Sequence, residues 1–401
     1  MMKKTALIVL VALTACTAKA PLSVRVVESE MARNPEATYL DGQEGRLKWN
    51  YTTGLELKAF LDVYEMADQA GHDTFRHARL DRESVFDYVD AWYDTVIAED
   101  GTIATYKMAA HSSDHICPGR TLFRLYDLTG KEKYRAAMDT LYAQILEQPR
   151  TDDGGFSHKE VYPGQMWLDG LYMLEPFYVE YTNRFVADST ERAENYADIV
   201  HQFTTVYGHT FDPSTGLLRH AWDSTREMFW CDPETGQSDH AWGRALGWYV
   251  MALVDVAELM PDGPDKDTLV RILQSLYGTI PLYADSRTGM WFQVLDSPYR
   301  EGNYLEATCS AMFTYAWLKG IRLGFLAGRE SALQAYDSLL KTFVTEDGGQ
   351  VNLISCCSVA GLGGKENRRG DFDYYIHEPV RANDPKGIGP LIWAALEYER
   401  L

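Results

Sequence analysis

Apolar residues recur along the chain mostly at intervals of three and four, the spacing of one helix face. The pattern predicts twelve helices, near residues 24–35, 48–69, 78–97, 112–128, 131–148, 163–182, 188–208, 240–260, 266–284, 303–325, 327–343 and 385–401. They alternate in kind. The even ones carry glycine and aromatic residues near their starts: "NYTTGLEL", "SSDHICPGR", "QMWLDGLYM", "AWGRALGW", "NYLEATCS" and "DPKGIGPL". The odd ones are more amphipathic, as in "ESVFDYVDAWYDTVI". Small residues let helices approach closely, whereas a single polar face suits an outer layer.

A second pattern lies in the turns. "EDGTIATYK", "DDGGFSHK", "DPSTGLLRHAWD", "DSRTGMWFQV" and "EDGGQVNL" each run from an acidic residue through glycine into a short extended stretch, with the glycines at Gly101, Gly155, Gly216, Gly289 and Gly349. Each interval between them holds two helical patterns, and a repeat of this kind outweighs local propensity as a guide to fold. Together the patterns predict an all-α fold, an (α/α)6 toroid forming one domain. An open α-solenoid is the alternative, but it needs polar capping repeats that the sequence lacks. In the toroid, inner-helix starts and turn segments converge at one end. That gathers Asp114, Asp169, Trp242, Arg244 and Trp248 from the helix starts, with His158 and His220 from the turns.

Composition narrows the class. The 401 residues are 46% hydrophobic, which excludes a disordered chain, and the formal charge of -20 argues against nucleic acid or anionic membrane as a partner. The first residues, "MMKKTALIVLVALTACTAKA", place two lysines before a short apolar run, the layout of a secretory signal. "LTAC" resembles a bacterial lipobox, which makes Cys16 the lipidated residue; cleavage at "TAKA" is the alternative. The expected organisation is a signal region at 1–16, a linker at 17–23 and a catalytic domain at 24–401, lipid-anchored in the cell envelope and facing the periplasm. The membrane is then a partner through the anchor alone, and the oligomeric state stays open. Five scattered cysteines besides Cys16 are not a disulfide framework.

The candidate chemistry centres on "YPGQMWLDGLYMLEPF", where Asp169 sits among aromatic and aliphatic residues, two places after Trp167. Burial raises a carboxyl pKa, while a nearby helix start lowers it. The sequence leaves that contest open. Asp114 reads equally as a helix N-cap. Arg244, between Trp242 and Trp248, suits a sugar carboxylate as a two-pronged donor beside stacking faces, although ordinary core packing is the plainer reading. "HSSDH", His111 to His115, resembles an inverted zinc motif with Asp in place of Glu, but no third ligand is evident, so neither a metal nor another cofactor is expected.

Taken together and in order, "MWLDGLYM", "LLRHAWD", "WGRALGW", "AGLGG", "YYIHEPV" and "NDPKGIGPLIWAALE" resemble the unsaturated glycuronyl hydrolases of glycoside hydrolase family 105. The likeness spans nearly the whole chain after the signal. It implies Asp169 as general acid/base and Asp114 as a second active-site carboxylate. His158, His220, Trp242, Arg244 and Trp248 would line the sugar site, with Trp167 and, more weakly, Tyr51. The implied substrate is an unsaturated uronyl oligosaccharide left by a lyase, most of all a rhamnogalacturonan fragment. Hydration of its C4=C5 bond needs one carboxyl group to give a proton and later to take one from water. On this reading the aromatic surroundings keep Asp169 protonated. Glucuronyl ends from arabinogalactan, ulvan or glycosaminoglycans, an inverting glycosidase, and a glycan-binding lipoprotein without turnover are the competing readings.

Overall fold

The computed structural model describes residues 19–69 and 74–401. Cys16 and the signal region lie outside them. Among the described residues the α-helices are α1 (Leu22–Arg33), α2 (Tyr51–Gln69), α3 (Arg82–Val96), α4 (Gly119–Thr129), α5 (Glu132–Glu147), α6 (Leu168–Phe185), α7 (Ser189–Thr210), α8 (Gly243–Leu259), α9 (Pro264–Thr279), α10 (Ala307–Arg322), α11 (Arg329–Phe343), α12 (Phe372–His377) and α13 (Pro385–Arg400). Twelve answer to the apolar pattern. The sequence pattern missed α12, a short helix capped by Asp371, whose side chain accepts from Tyr374 N.

Helices α2, α4, α6, α8, α10 and α13 pack side by side in that order, and α13 packs against α2, which closes the ring. Each carries one outer helix: α3 on α2, α5 on α4, α7 on α6, α9 on α8, α11 on α10 and α1 on α13. This is the (α/α)6 toroid. Burial explains the layering. Inner α8 is buried on every side from Gly243 to Ala257, whereas outer α9 buries a stripe of Leu269, Leu273, Leu276 and Tyr277. Such side chains contribute roughly 1.5–3 kcal/mol each on burial. Glycine sets the inner spacing: a Cβ on Gly247 would lie 2.6 Å from the Met312 sulfur, and one on Gly243 2.9 Å from that of Cys309.

The turn repeat is real. Gly216 and Gly289 adopt φ of 71° and 74°, and their N–H groups donate to Asp212 and Asp285 carbonyls at 2.7 Å. In the second turn the left-handed residue is Gly154, φ 89°, rather than Gly155. The extended runs pair across the mouth: 165–167 with 221–223, Trp242 with Val294, and Phe292 with Leu305.

Those paired runs account for the main departure from the predicted boundaries. Several inner helices begin three to seven residues later than the apolar pattern placed them, because buried mouth segments are apolar too. Residues 165–167 are strand, and α6 starts at Leu168, so Asp169 lies in the first helical turn. Asp114 is no helix N-cap: it lies in the 3-10 turn Ser113–His115, and α4 waits until Gly119, after Pro118. Cys117, Cys231, Cys309, Cys356 and Cys357 are all free thiols. No helix among the described residues is long and apolar enough to cross a membrane.

Candidate active site

Strand register builds the centre of the site. Trp167 pairs with Ala221, and Leu168 N donates to the His220 carbonyl at 3.1 Å, so His220 is set beside the first turn of α6. His220 Nε2 lies 3.3 Å from Asp169 Oδ2, off hydrogen-bond alignment, and both atoms are buried without a hydrogen-bond partner. The other ring nitrogen, Nδ1, meets Tyr375 Oη at 2.7 Å. Gly170 follows Asp169 for a reason of space: a Cβ there would press to 3.2 Å from His158 Nδ1.

A second group faces the first. His158 Nδ1 meets Ser113 Oγ at 2.9 Å, and its Nε2 lies 3.8 Å from Asp114 Oδ1. Lys159 Nζ donates to Asp114 Oδ2. His158, Trp167 and Tyr162 form a ladder of near-parallel rings, with centroids 4.6 Å and 5.1 Å apart along it. Arg368, from the loop before α12, donates to Tyr162 Oη at 3.3 Å, so the charged "GKENRRG" segment lies against this ladder.

The third wall is cationic. Arg244 is buried, with its guanidinium carbon 4.6 Å from the Trp242 ring centroid. Its Nη1 donates to the Cys357 carbonyl, and its Nε has no partner. Trp242 Nε1 donates to Gln293 Oε1 at 3.1 Å, and Gln293 donates in turn to the Tyr375 carbonyl.

The charges sort themselves by environment. Burial pushes the Asp169 carboxyl up, but nearby His220, then His158 and Arg244, outweigh it and leave it below the ordinary aspartate range. The expectation that aromatic surroundings keep Asp169 protonated is therefore corrected for the empty site: the surroundings desolvate it, yet His220 and the other neighbours outweigh that. Asp114 behaves alike, raised by burial and lowered further by Lys159 and His158. Burial, then the Lys159 charge, takes His158 down to about 4, so this imidazole is neutral near pH 7. Tyr51 opens α2 close enough to feel Asp114, Arg244 and Asp169, and burial above all holds its hydroxyl protonated.

The structure thus brings together Tyr51, Asp114, His158, Trp167, Asp169, His220, Trp242 and Arg244. Trp248 stands apart: it is buried in the core against Tyr172, centroids 4.8 Å apart, a ring that Arg120 also covers. Sequence reasoning passed over Ser113, Lys159, Tyr162 and Tyr375. All four fell inside quoted stretches, Lys159 in "DDGGFSHK", Tyr375 in "YYIHEPV", Ser113 in "HSSDH" and Tyr162 at the start of "YPGQMWLDGLYMLEPF", but their partners lie far along the chain. His111 and His115 diverge, one toward Glu160 at 3.1 Å and the other beside Tyr106.

A helical ring with two carboxylates, stacked aromatic rings and a buried guanidinium at one mouth has the build of a sugar-acid-processing enzyme. The family model described as Glycosyl Hydrolase Family 88 matches residues 22–401. A solved glycoside hydrolase from family 105 of C. acetobutylicum ATCC 824 is 42% identical, covers 95% of this chain and 100% of its own, and superposes with a TM-score of 0.86. Protein Atu3128 of Agrobacterium fabrum is 38% identical over 231 residues, 55% of this chain and 96% of that protein. The unsaturated rhamnogalacturonyl hydrolase YesR of Bacillus subtilis is 24% identical over 325 residues, 77% of this chain and 79% of that protein. The chain belongs to the family 88/105 glycoside hydrolases, the unsaturated glycuronyl hydrolase group, and is of the family 105 type.

Proposed function

We propose that the protein removes the unsaturated uronyl residue from the non-reducing end of lyase-generated rhamnogalacturonan fragments. The observation that carries this reading is Asp169 Oδ2, buried and without a hydrogen-bond partner, 3.3 Å from the equally unpartnered His220 Nε2 and in the field of Arg244. Buried polar atoms without a partner are uncommon, and a pair of them on a carboxylate and an imidazole at a cleft is consistent with a place for another molecule. The likeness to YesR supports rhamnogalacturonan over other parent polysaccharides.

In this mechanism the substrate carboxylate docks on Arg244 and offsets its charge. Water leaves the cleft at the same time. Both changes raise the Asp169 pKa, so the carboxylate takes up a proton as the sugar binds. Asp169 delivers that proton to C4, leaving oxocarbenium character at C5. Water adds at C5 and gives its proton back to Asp169. The hemiketal then opens and releases the remaining glycan as an alcohol. The sum is one water added and one bond cleaved. His220 holds Asp169 in place, itself fixed by Tyr375. Asp114, ionised and tied to Lys159, binds the ring hydroxyls with neutral His158.

The test is a lyase-made unsaturated disaccharide in heavy water. Loss of the conjugated-acid absorbance with deuterium gained at C4 is expected. Binding without absorbance loss would make the protein a carrier, and a reducing sugar released with the double bond intact would make it a conventional glycosidase. We further propose anchorage through a lipidated Cys16: Cys16→Ser should move the protein out of the membrane fraction, since stable attachment needs more than one acyl chain. Unchanged detergent partitioning would refute the anchor.

A further inference from the structure

Arg244 is not the only orphaned donor beside Cys357. Tyr304 lies in the extended run before α10, where its carbonyl accepts from Gln293 N at 2.9 Å. Its hydroxyl oxygen is buried and has no hydrogen-bond partner. The polar groups around it are the Cys357 thiol, Glu306 and Arg244, and burial above all keeps the hydroxyl protonated. Glu306 is already committed, one carboxylate oxygen accepting from Cys309 N at 2.7 Å and the other from Cys357 N at 2.8 Å. The Cys357 thiol is within reach of this hydroxyl, but sulfur is a weak acceptor and satisfies a phenol poorly. Cys357 is itself anchored on both sides, by Glu306 at its N–H and by Arg244 at its carbonyl.

Two buried donor atoms beside Cys357, Arg244 Nε and Tyr304 Oη, are therefore left without a hydrogen-bond partner. A buried donor left without a partner costs about 1–3 kcal/mol. Arg244 offers N–H groups only, and the protonated Tyr304 adds an O–H. The group that satisfies both is an acceptor with two oxygens and a negative charge. Nothing in the general reading of the site required a tyrosine here: a phenylalanine would fill the same space without leaving an unpaired oxygen.

We propose that Tyr304 is a substrate-binding residue, the second donor to the carboxylate of the unsaturated uronyl ring, which it shares with Arg244. The proposal rests on the hydration reading above and makes the site selective for an acid over the corresponding neutral sugar. Arg244 supplies charge and Tyr304 supplies direction, which turns the carboxylate plane and with it the C4=C5 bond relative to Asp169.

The experiment compares wild type with Tyr304→Phe on two ligands: an unsaturated uronyl disaccharide, and the same compound with its carboxyl reduced to a primary alcohol. A hydrogen bond to a charged group corresponds to a loss of about 10- to 100-fold. Tyr304→Phe should lose that much in kcat/KM for the acid and leave binding of the alcohol, measured by competition, unchanged. The melting temperature should not fall, since the variant removes an oxygen that the folded protein does not pair. Equal losses on both ligands, or no loss on the acid, would overturn the role of Tyr304. Failure of the wild type to hydrate the acid at all would instead remove the reading on which the proposal rests.

Discussion

The two mouths of the ring are built by the same six inner helices and are opposites in chemistry. Away from Asp169 lies a cavity of about 690 Å³, lined by Lys58, Arg120, Asp255, Lys319, Arg322 and Glu397 among others. Its charged groups are largely paired, although Arg120 Nη1 lacks a hydrogen-bond partner. Lys319 bridges Asp255 at 2.8 Å and Glu258 at 2.7 Å, Arg120 meets Asp255 at 2.8 Å, and Arg322 and Arg400 hold Glu397 at 2.5 Å and 2.9 Å. At the other mouth Asp169 Oδ2, His220 Nε2, Arg244 Nε and Tyr304 Oη all lack partners. Charge count alone would choose the wrong end. The degree of pairing separates them: most charges at one end hold helices together, and more polar atoms at the other lack a hydrogen-bond partner.

The largest expected effect lies at the unpaired mouth. Asp169→Asn keeps the outline of the side chain but cannot move protons in this role. Turnover should fall by at least ~10²–10⁴-fold, the usual worth of a general acid/base, with the melting temperature unchanged. A folded variant with near-normal turnover would transfer suspicion to Asp114. Asp255→Ala reverses the pattern. It strands Arg120 and leaves Lys319 with Glu258 alone, and breaking a buried pair costs about 3–5 kcal/mol, read by denaturant unfolding. Turnover per folded molecule should hold. If it drops more than a few-fold, the two ends are coupled and the contrast fails.

Acid titration sharpens the same point. Burial pushes the Asp255 carboxyl up, but Lys319 and Arg120 bring it down to about 2. A carboxyl lowered on folding stabilises the protein fully above its unfolded pKa of about 3.9, and that contribution is lost as pH falls from there toward 2. Stability at pH 3 should therefore depend on Asp255, and the variant should show a flatter acid limb.

Smaller effects concern Arg244 and the pH profile. Arg244→Lys keeps a charge and loses the planar fork, so kcat/KM should fall about tenfold or more on an acidic substrate, with the circular dichroism spectrum intact. Unchanged activity would place the clamp elsewhere, on His158 or His220 first. Asp169 is held low in the empty site and, on the proposed mechanism, should rise when the substrate carboxylate offsets Arg244. The alkaline limb of kcat, which reports the complex, should then lie at higher pH than that of kcat/KM, which reports the free enzyme. Coincident limbs would mean that binding does not shift Asp169.

The fold was legible because a twelvefold alternation needs only local spacing: Leu269, Leu273 and Leu276 announce an outer helix by themselves. Convergence of Asp114, His158, Asp169 and His220 followed from the ring. The state of Asp169 did not, because the group that decides it, His220, is 51 positions away (220 − 169) and arrives through a three-residue strand pairing. Trp248 is placed differently for a related reason. Its neighbour Arg244, four residues earlier, turns to Cys357 and the sugar site, while Trp248 turns inward to Tyr172. Helix starts were read early because the strands at the mouth are as apolar as the helices they precede.

Closure of the ring also bears on how the chain folds. Trp393 on α13 donates to Asp62 on α2 at 2.7 Å, across a sequence separation of 331 residues. Arg381 reaches Asp41 across 340. The five other inner helices can assemble on neighbours close in sequence, but an arc of five leaves two raw edges until α13 seats between α10 and α2. Loop-closure entropy grows only as the logarithm of length, so this weighs little on the finished protein and heavily on the rate of reaching it. The last inner helix acts as a keystone: an incomplete arch exposes the apolar flanks of α2 and α10, and refolding should be slow and prone to aggregation up to the step at which α13 docks.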